Sequence, residues 1–441
     1  LNLVSPSIRL AARALLGVAL IVASACDGTT TPPIPIPDSG PRPDAGPRPD
    51  AGPAPDAGSG PDAGMALEFS TCVPGTPRTI RNGTAADVDI FDVQTRADGS
   101  VWVVAGASSG SVLEWYELRR GQDPLPRGNV PLSESARSLA TSRGVDDPWV
   151  VGVQTVGRRG QIVAGRPFNA DTPSLISTAV AATSSRAIGV EAQPVGEDAQ
   201  LAVWLEQRVP TVGTPTGGEP FDLRAVRFDA FGQGEQDGPL SPLALADDIL
   251  DFATAPAFDG GWISFIDAAA PNRLELRRID GEGTVAFSAG LDLDQPLSQA
   301  PVMRRLGADE RVVVAYTELT DGMFPRVVVA RLAPEGGALT QESRERLTGG
   351  TARGSDPALG GVESFQLLAY RLFEDGVGSL QVAGLTLGSV LFGPDEMAPV
   401  SAQAGRIEAV LLPTGDAWIV YADVAETSAA LRALSLRCAP E

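Results

Sequence analysis

The chain has no histidine and no lysine, so all 34 of its basic residues are arginine. Without imidazole there is no Ser-His-Asp triad, no His ligand for zinc and no base that titrates near neutrality unaided, which closes much of hydrolase chemistry. Acids outnumber bases by 55 to 34, for a net charge of −21. A surface of that sign repels phosphate backbones and anionic headgroups, so neither nucleic-acid binding nor electrostatic docking on membranes is expected. Cysteine occurs only at positions 26, 72 and 438. No Cys cluster, no phosphate-cradling Gly-Lys-Ser/Thr and no Gly-x-Ser-x-Gly with triad partners is present, so no metal, cofactor or catalytic residue is expected from motifs. Beyond residue 25 no apolar run approaches the roughly 20 residues that span a bilayer.

What is there begins with an export pattern. Arg9 and Arg13 precede a short apolar run over residues 14–22, and Ala23-Ser24-Ala25 supplies the small residues of a cleavage segment. Cys26 follows at once. The order Ala-Ser-Ala-Cys resembles the lipobox of bacterial lipoproteins, with Ala23 where Leu is commoner. That resemblance implies a signal peptide over 1–25, cleavage before Cys26 and a diacylglyceryl group on its thiol. Losing Arg9 and Arg13 with the signal then takes the net charge from −21 to −23. A plain secretory signal, cut nearby, would instead leave Cys26 free.

From Asp27 to Gly64 the composition is nearly all Pro, Asp, Ala, Gly, Ser and Thr, with Pro-Asp-Ala/Ser-Gly recurring at Asp38, Asp44, Asp50, Asp56 and Asp62. Such a tract has almost no apolar surface to offset the entropy of ordering. We expect a disordered linker over 26–66, reaching at most about 120 Å at roughly 3.1 Å per residue. Tracts of this kind behind a lipobox are similar to those of myxobacterial lipoproteins.

The remainder, 67–441, carries a repeat. Its anchor is a short β-rich run, found at Trp102-Val-Val-Ala, Trp149-Val-Val-Gly, Ala202-Val-Trp-Leu, Trp262-Ile-Ser-Phe, Val313-Val-Ala-Tyr, Leu367-Leu-Ala-Tyr and Trp418-Ile-Val-Tyr. Each anchor follows a first strand and a tight turn, as in Ala97-Asp-Gly-Ser or Pro413-Thr-Gly-Asp, where Gly supplies positive φ. Each is followed by a third strand, such as Val112-Leu-Glu-Trp-Tyr or Leu431-Arg-Ala-Leu-Ser-Leu, and most units add a weaker fourth. Four strands in each of seven units predict an all-β chain folded as a seven-bladed β-propeller.

The seventh unit has only five residues after its third strand, too few for a fourth. Arg78-Thr-Ile-Arg-Asn, ahead of the first unit, can supply it and close the ring, removing two exposed sheet edges. Cys72 and Cys438 flank those strands, so antiparallel pairing predicts a disulfide between them; the alternative is two buried thiols.

Recurring aromatic residues, the anchor tryptophans with Phe265, Tyr316, Tyr370 and Tyr421, read as packing between blades. Acids recur near the end of the second strand, at Glu206, Asp267, Glu318 and Asp423, and are the candidate binding face. Arg273 and Arg326 begin the next strands, placed to pair across with Asp267 and Glu318. The loop 207–222 is the longest insertion and a second candidate for recognition.

These features predict a monomeric, lipid-anchored protein of the cell envelope, periplasmic or at the surface, serving as a binding or scaffold module for protein or glycan. One alternative is a glycan-processing enzyme, sialidase-like or a lyase, working by carboxylates without His. Thr95-Arg-Ala-Asp-Gly-Ser-Val-Trp102 only approximates the turn that sialidases carry. The other alternative is a structural envelope component.

Overall fold

A computed structural model describes residues 69–440, less 97–98, 108–109, 133, 135, 143–149, 157–158, 166–177, 183–186, 196–198, 208–220, 230–242, 257–259, 281–283, 298–300, 308–310, 321–323, 336–337, 363, 402 and 404. The signal segment, Cys26, the linker, Trp149 and most of the 207–222 loop lie outside the described residues.

Among the described residues there are 28 strands and one short helix, Ala85–Val88, capped by Thr84. Strands consecutive in sequence pair antiparallel into sheets. In the first unit these are Phe91–Thr95, Val101–Gly106, Val112–Leu118 and Leu125–Pro131. The turns behave as expected, with Gly99 at φ 76° and Gly415 at φ 83°.

The second strands are apolar throughout because both of their faces are buried. In Val101–Gly106, Val101, Val103 and Ala105 pack toward Val420 and Leu431 of the last unit, while Trp102 and Val104 pack toward Leu139 and Val150 of the second. Alternate residues on one strand thus serve two interfaces, which is the period of two that a pleated strand imposes. Trp204, Trp262 and Trp418 sit in such inter-unit cores, as do Phe265, Tyr316, Tyr370 and Tyr421.

The first strands pack side by side around the centre. Phe91–Thr95 meets Ala136–Thr141, which is followed in turn by Ala187–Val195, Leu243–Pro256, Val302–Arg305, Arg353–Val362 and Ile407–Leu411, and the last returns to the first. The fold is a β-propeller.

It has five discrete blades, not the seven that the repeat predicts. Five sheets have four or five strands, and the third and fourth units share one sheet of seven. The cause is the strand Leu243–Pro256, 14 residues long. Its beginning pairs with Phe221–Asp229 and its end with Gly261–Asp267, so one strand serves both units. Between Leu243 and Ala255 there is no Gly or Pro to end it; the chain bends instead at Asp248, with φ 58°.

Closure uses more of the N-terminal chain than expected. Arg78–Gly83 does pair with the last strand, Ala429–Pro440, but a further strand, Phe69–Pro74, pairs with that same strand's end. In this register Cys72 lies opposite Cys438, and the two form a disulfide.

Candidate functional site

The four acids singled out by the repeat all stand near the C-terminal ends of second strands, each occupied locally. Glu206 is buried and lies in register between Ala187 and Asp222, the latter paired with Arg224 at 3.0 Å. Asp267 accepts the Ala269 amide at 2.8 Å and so caps its own turn. Asp423 pairs with Arg432 at 2.9 Å and accepts the Ser401 amide at 2.9 Å. Glu318 is fully buried; it bonds Arg344 and lies 3.8 Å from Arg346. Burial pushes its carboxyl above the usual range against the pull of both arginines.

The expected cross-hairpin pairs do not form. Arg273 turns to Glu275 at 2.6 Å and Asp292 at 3.6 Å. Arg326 is in register with Glu318, yet its guanidinium donates to the carbonyls of Gly349, Gly350 and Ala352. Those carbonyls belong to the connection between two blades and need donors that no strand supplies there. Among the described residues no group of three or more acids or cysteines is placed to hold a metal ion.

A charged constellation lies instead at the ring centre, on and beside the first strands. Arg406 precedes Ile407–Leu411. Its amide donates to Asp89 at 2.9 Å and its Nε to Glu408 at 2.9 Å, while Nη1 reaches the Leu139 carbonyl at 3.4 Å. Nη2 stands 3.9 Å from Asp92, and the guanidinium lies over the Phe91 ring at 5.5 Å. Burial works against the charge, but Glu408, Asp92 and Asp89 outweigh it and hold Arg406 above its ordinary pKa.

From Asp92 the connections continue around the ring. Its carboxylate accepts the Thr141 amide at 2.5 Å and hydroxyl at 2.9 Å, on the next first strand. Ser138 accepts the Val190 amide at 3.0 Å, one unit further. Glu191 then accepts both the amide and the hydroxyl of Thr254, at 2.6 and 2.7 Å. Arg304 closes on the Met303 carbonyl at 2.9 Å and the Thr254 carbonyl at 3.5 Å. Side chains of one unit therefore satisfy backbone groups of its neighbours. Burial raises the Glu191 carboxyl to about 7; the Thr254 bonds and Arg304 oppose that rise and Glu408 adds to it.

A separate pocket between the first and second units is lined by Leu113, Leu132, Leu139, Val150 and Val163 with Gln154. No ionisable side chain lines it, so it offers no acid or base.

No protein-family model matches the chain, and no curated protein matches it in sequence. Solved structures resemble it loosely. A puromycin hydrolase is 16% identical with a TM-score of 0.45, over 78% of this chain and 52% of that one. The hydrazine synthase of Kuenenia stuttgartiensis is 10% identical with a TM-score of 0.46, over 76% of this chain and 94% of that one. Kluyveromyces lactis Hsv2 (complete loop 6CD) is 10% identical with a TM-score of 0.45, over 80% and 99%. The chain spans about half the length of the puromycin hydrolase. Likenesses at this level carry no activity across; the fold assignment rests on strand order.

Proposed function

We propose that the chain is an exported lipoprotein, anchored through Cys26 and held off the membrane by the 26–66 linker, whose propeller serves as a binding or scaffold module for protein or glycan at the cell envelope. The observation that carries the binding reading is the ring centre. There Arg406, Asp92, Ser138 and Glu191 are spent on joining units to one another, which suits a rigid platform with recognition on its loops. The Cys72–Cys438 disulfide supports export, because such bonds persist in oxidising compartments.

The test is a pull-down from detergent-solubilised envelopes with the lipidated protein, reading bound proteins and glycans by mass spectrometry. A reproducible partner, lost when residues 207–222 are shortened while the melting temperature holds, establishes the module. An empty pull-down from repeated preparations counts against it. Fatty-acid labelling that survives Cys26→Ser would overturn the anchor.

A second reading, a glycan-processing propeller, draws on Glu191, whose carboxyl burial raises to about 7 with Glu408 adding to the rise, as acid and base carboxyls facing one cavity would. Polysaccharide turnover that is lost in Glu408→Gln would favour it over binding.

A further inference from the structure

The face of the propeller opposite the second-strand acids carries a run of arginines. Second strands begin on that face, and third strands end there, since Val101 is in register with Leu118 and Asp416 with Arg437. Glu117 takes Arg119 at 2.9 Å and Arg127 through its Nε at 2.6 Å. Asp416, in the last unit, takes Arg437 at 3.0 Å and also Arg120 of the first unit at 3.5 Å. Arg96 and Arg127 lie over the Trp102 ring at 5.3 and 5.9 Å, and Arg78 pairs with Asp123 at 3.1 Å. Six arginines thus stand with three carboxylates, in a chain that has 34 arginines against 55 acids. Asp98, in the turn beyond Arg96, lies outside the described residues.

We propose that this arginine seam, running across the junction of the first and last units, binds an acidic linear polysaccharide whose anionic groups recur along a single chain.

The excess charge is exposed and has donors to spare. The side chains of Arg119, Arg120, Arg127 and Arg437 are 48%, 56%, 36% and 45% exposed. Arg120 and Arg437 spend only Nη1 on Asp416, while Arg119 and Arg127 spend Nε and Nη2 on Glu117. Each therefore keeps at least one nitrogen without a partner among the described residues. A guanidinium fork matches the paired oxygens of a carboxylate, sulfate or phosphate group. The shared acids and the Trp102 ring already hold these side chains in place, which lowers the entropy lost on binding.

The same surface suits a polysaccharide better than other polyanions. A folded protein partner needs an apolar or aromatic anchor at the middle of its interface. Beside these arginines the exposed large apolar residues are Val73, in register with Arg437, and Leu125, in register with Glu117, with no aromatic among them. A nucleic-acid duplex or an anionic bilayer would press its charge against the acidic remainder of the protein, whereas one polysaccharide chain can follow the seam alone. The inference rests on the binding reading and names a ligand class for it. It concerns the face opposite the strand ends that the 207–222 loop joins, so a propeller that loses its partner with that loop yet ignores acidic polysaccharide would sink this proposal and leave that reading standing.

Calorimetric titration of the full chain carrying Cys26→Ser, so that no lipid interferes, with an oligogalacturonate tests it, and a neutral dextran of equal length is the blank. The expected result is binding to the oligogalacturonate alone, weakened roughly tenfold or more between about 20 and about 300 mM salt as exposed charges are screened. Arg119→Gln joined to Arg120→Gln, and separately Arg437→Gln, should each weaken it roughly three- to tenfold, because one exposed ionic contact is worth less than a decade. In the first of these variants Glu117 keeps Arg127 and Asp416 keeps Arg437, so an unchanged thermal midpoint is expected; should it fall, Arg437→Gln decides. Arg273→Gln makes the same charge change at the start of a third strand on the opposite face and should bind as the native chain does. No binding to the oligogalacturonate, an equal loss in Arg273→Gln, or an equally strong response to polyglutamate or to phosphatidylglycerol vesicles overturns the proposal.

Discussion

Cys72 and Cys438 stand directly opposite one another, on strands from the two ends of the propeller domain, and are covalently joined. The strand that carries Cys438 is paired along its length by two N-terminal strands in succession, Phe69–Pro74 and Arg78–Gly83. The second of these is held from the first unit as well. Arg81 pairs with Glu114 at 3.0 Å and donates to the Asp87 and Gly106 carbonyls. The last blade is thus closed by backbone pairing, an ion pair and a disulfide acting on the same edge.

Cys72→Ser should therefore weaken the ring without changing its shape. Removing a native disulfide typically costs about 2–5 kcal/mol, and the loop closed here, 366 residues, lies at the long end of that relation. The expected outcome is a lower urea midpoint with an unchanged circular dichroism spectrum, reproduced in the native protein by reduction. A midpoint unmoved in both would show that strand pairing alone holds the closure.

A close backbone approach at the centre makes a second prediction. Gly360, on Arg353–Val362, lies so near the strand Ile407–Leu411 that a Cβ there would meet the Ala409 carbonyl oxygen at 2.0 Å. Its backbone is not in the left-handed region, so the constraint is space alone. Gly360→Ala should push these first strands apart at a cost of about 1–3 kcal/mol. Gly349, where a methyl group would meet nothing within 4 Å, is the control. A thermal midpoint that falls for Gly360→Ala and holds for Gly349→Ala is the expected result; equal midpoints would mean that the strands have room to give.

Most of the architecture was legible because it leaves periodic marks. A second strand buried on both faces must be apolar throughout, so Trp102, Trp262 and Trp418 announce themselves at recurring intervals, and Gly99 and Gly415 mark the turns between. Closure was legible from the seventh unit's missing strand. The blade count was not, because the merging of two units depends on a strand that fails to break, Leu243–Pro256, and its bend falls at an aspartate rather than at a glycine. The ring centre was hidden for a different reason. Asp92, Glu191 and Glu408 are far apart in sequence, each a single acid within a short apolar strand, and only ring closure brings their strands together. An isolated acid in Ile90-Phe-Asp-Val93, Val190-Glu-Ala192 and Ile407-Glu-Ala409 was the available signal. The acids at the second-strand ends did recur visibly, but the partner of Glu318 proved to be Arg344, two strands away in the same sheet, rather than its neighbour in register.

Arg406 yields the last prediction, since it bonds three units at once. Replacing it with Leu takes an arginine from Glu408 and from Asp92 and strips a donor from the Leu139 carbonyl. The Arg406 and Glu408 side chains keep 23% and 16% exposure, so the loss should fall below the roughly 3–5 kcal/mol of a fully buried pair broken from one side. Lysine should not rescue the loss, for a single ammonium cannot serve Glu408, Asp92 and Leu139 in the directions that a planar guanidinium does. Urea midpoints should therefore rank the native protein well above both variants. Arg406→Leu joined to Glu408→Gln should recover part of the difference, because the carboxylate that lost its arginine is then neutral.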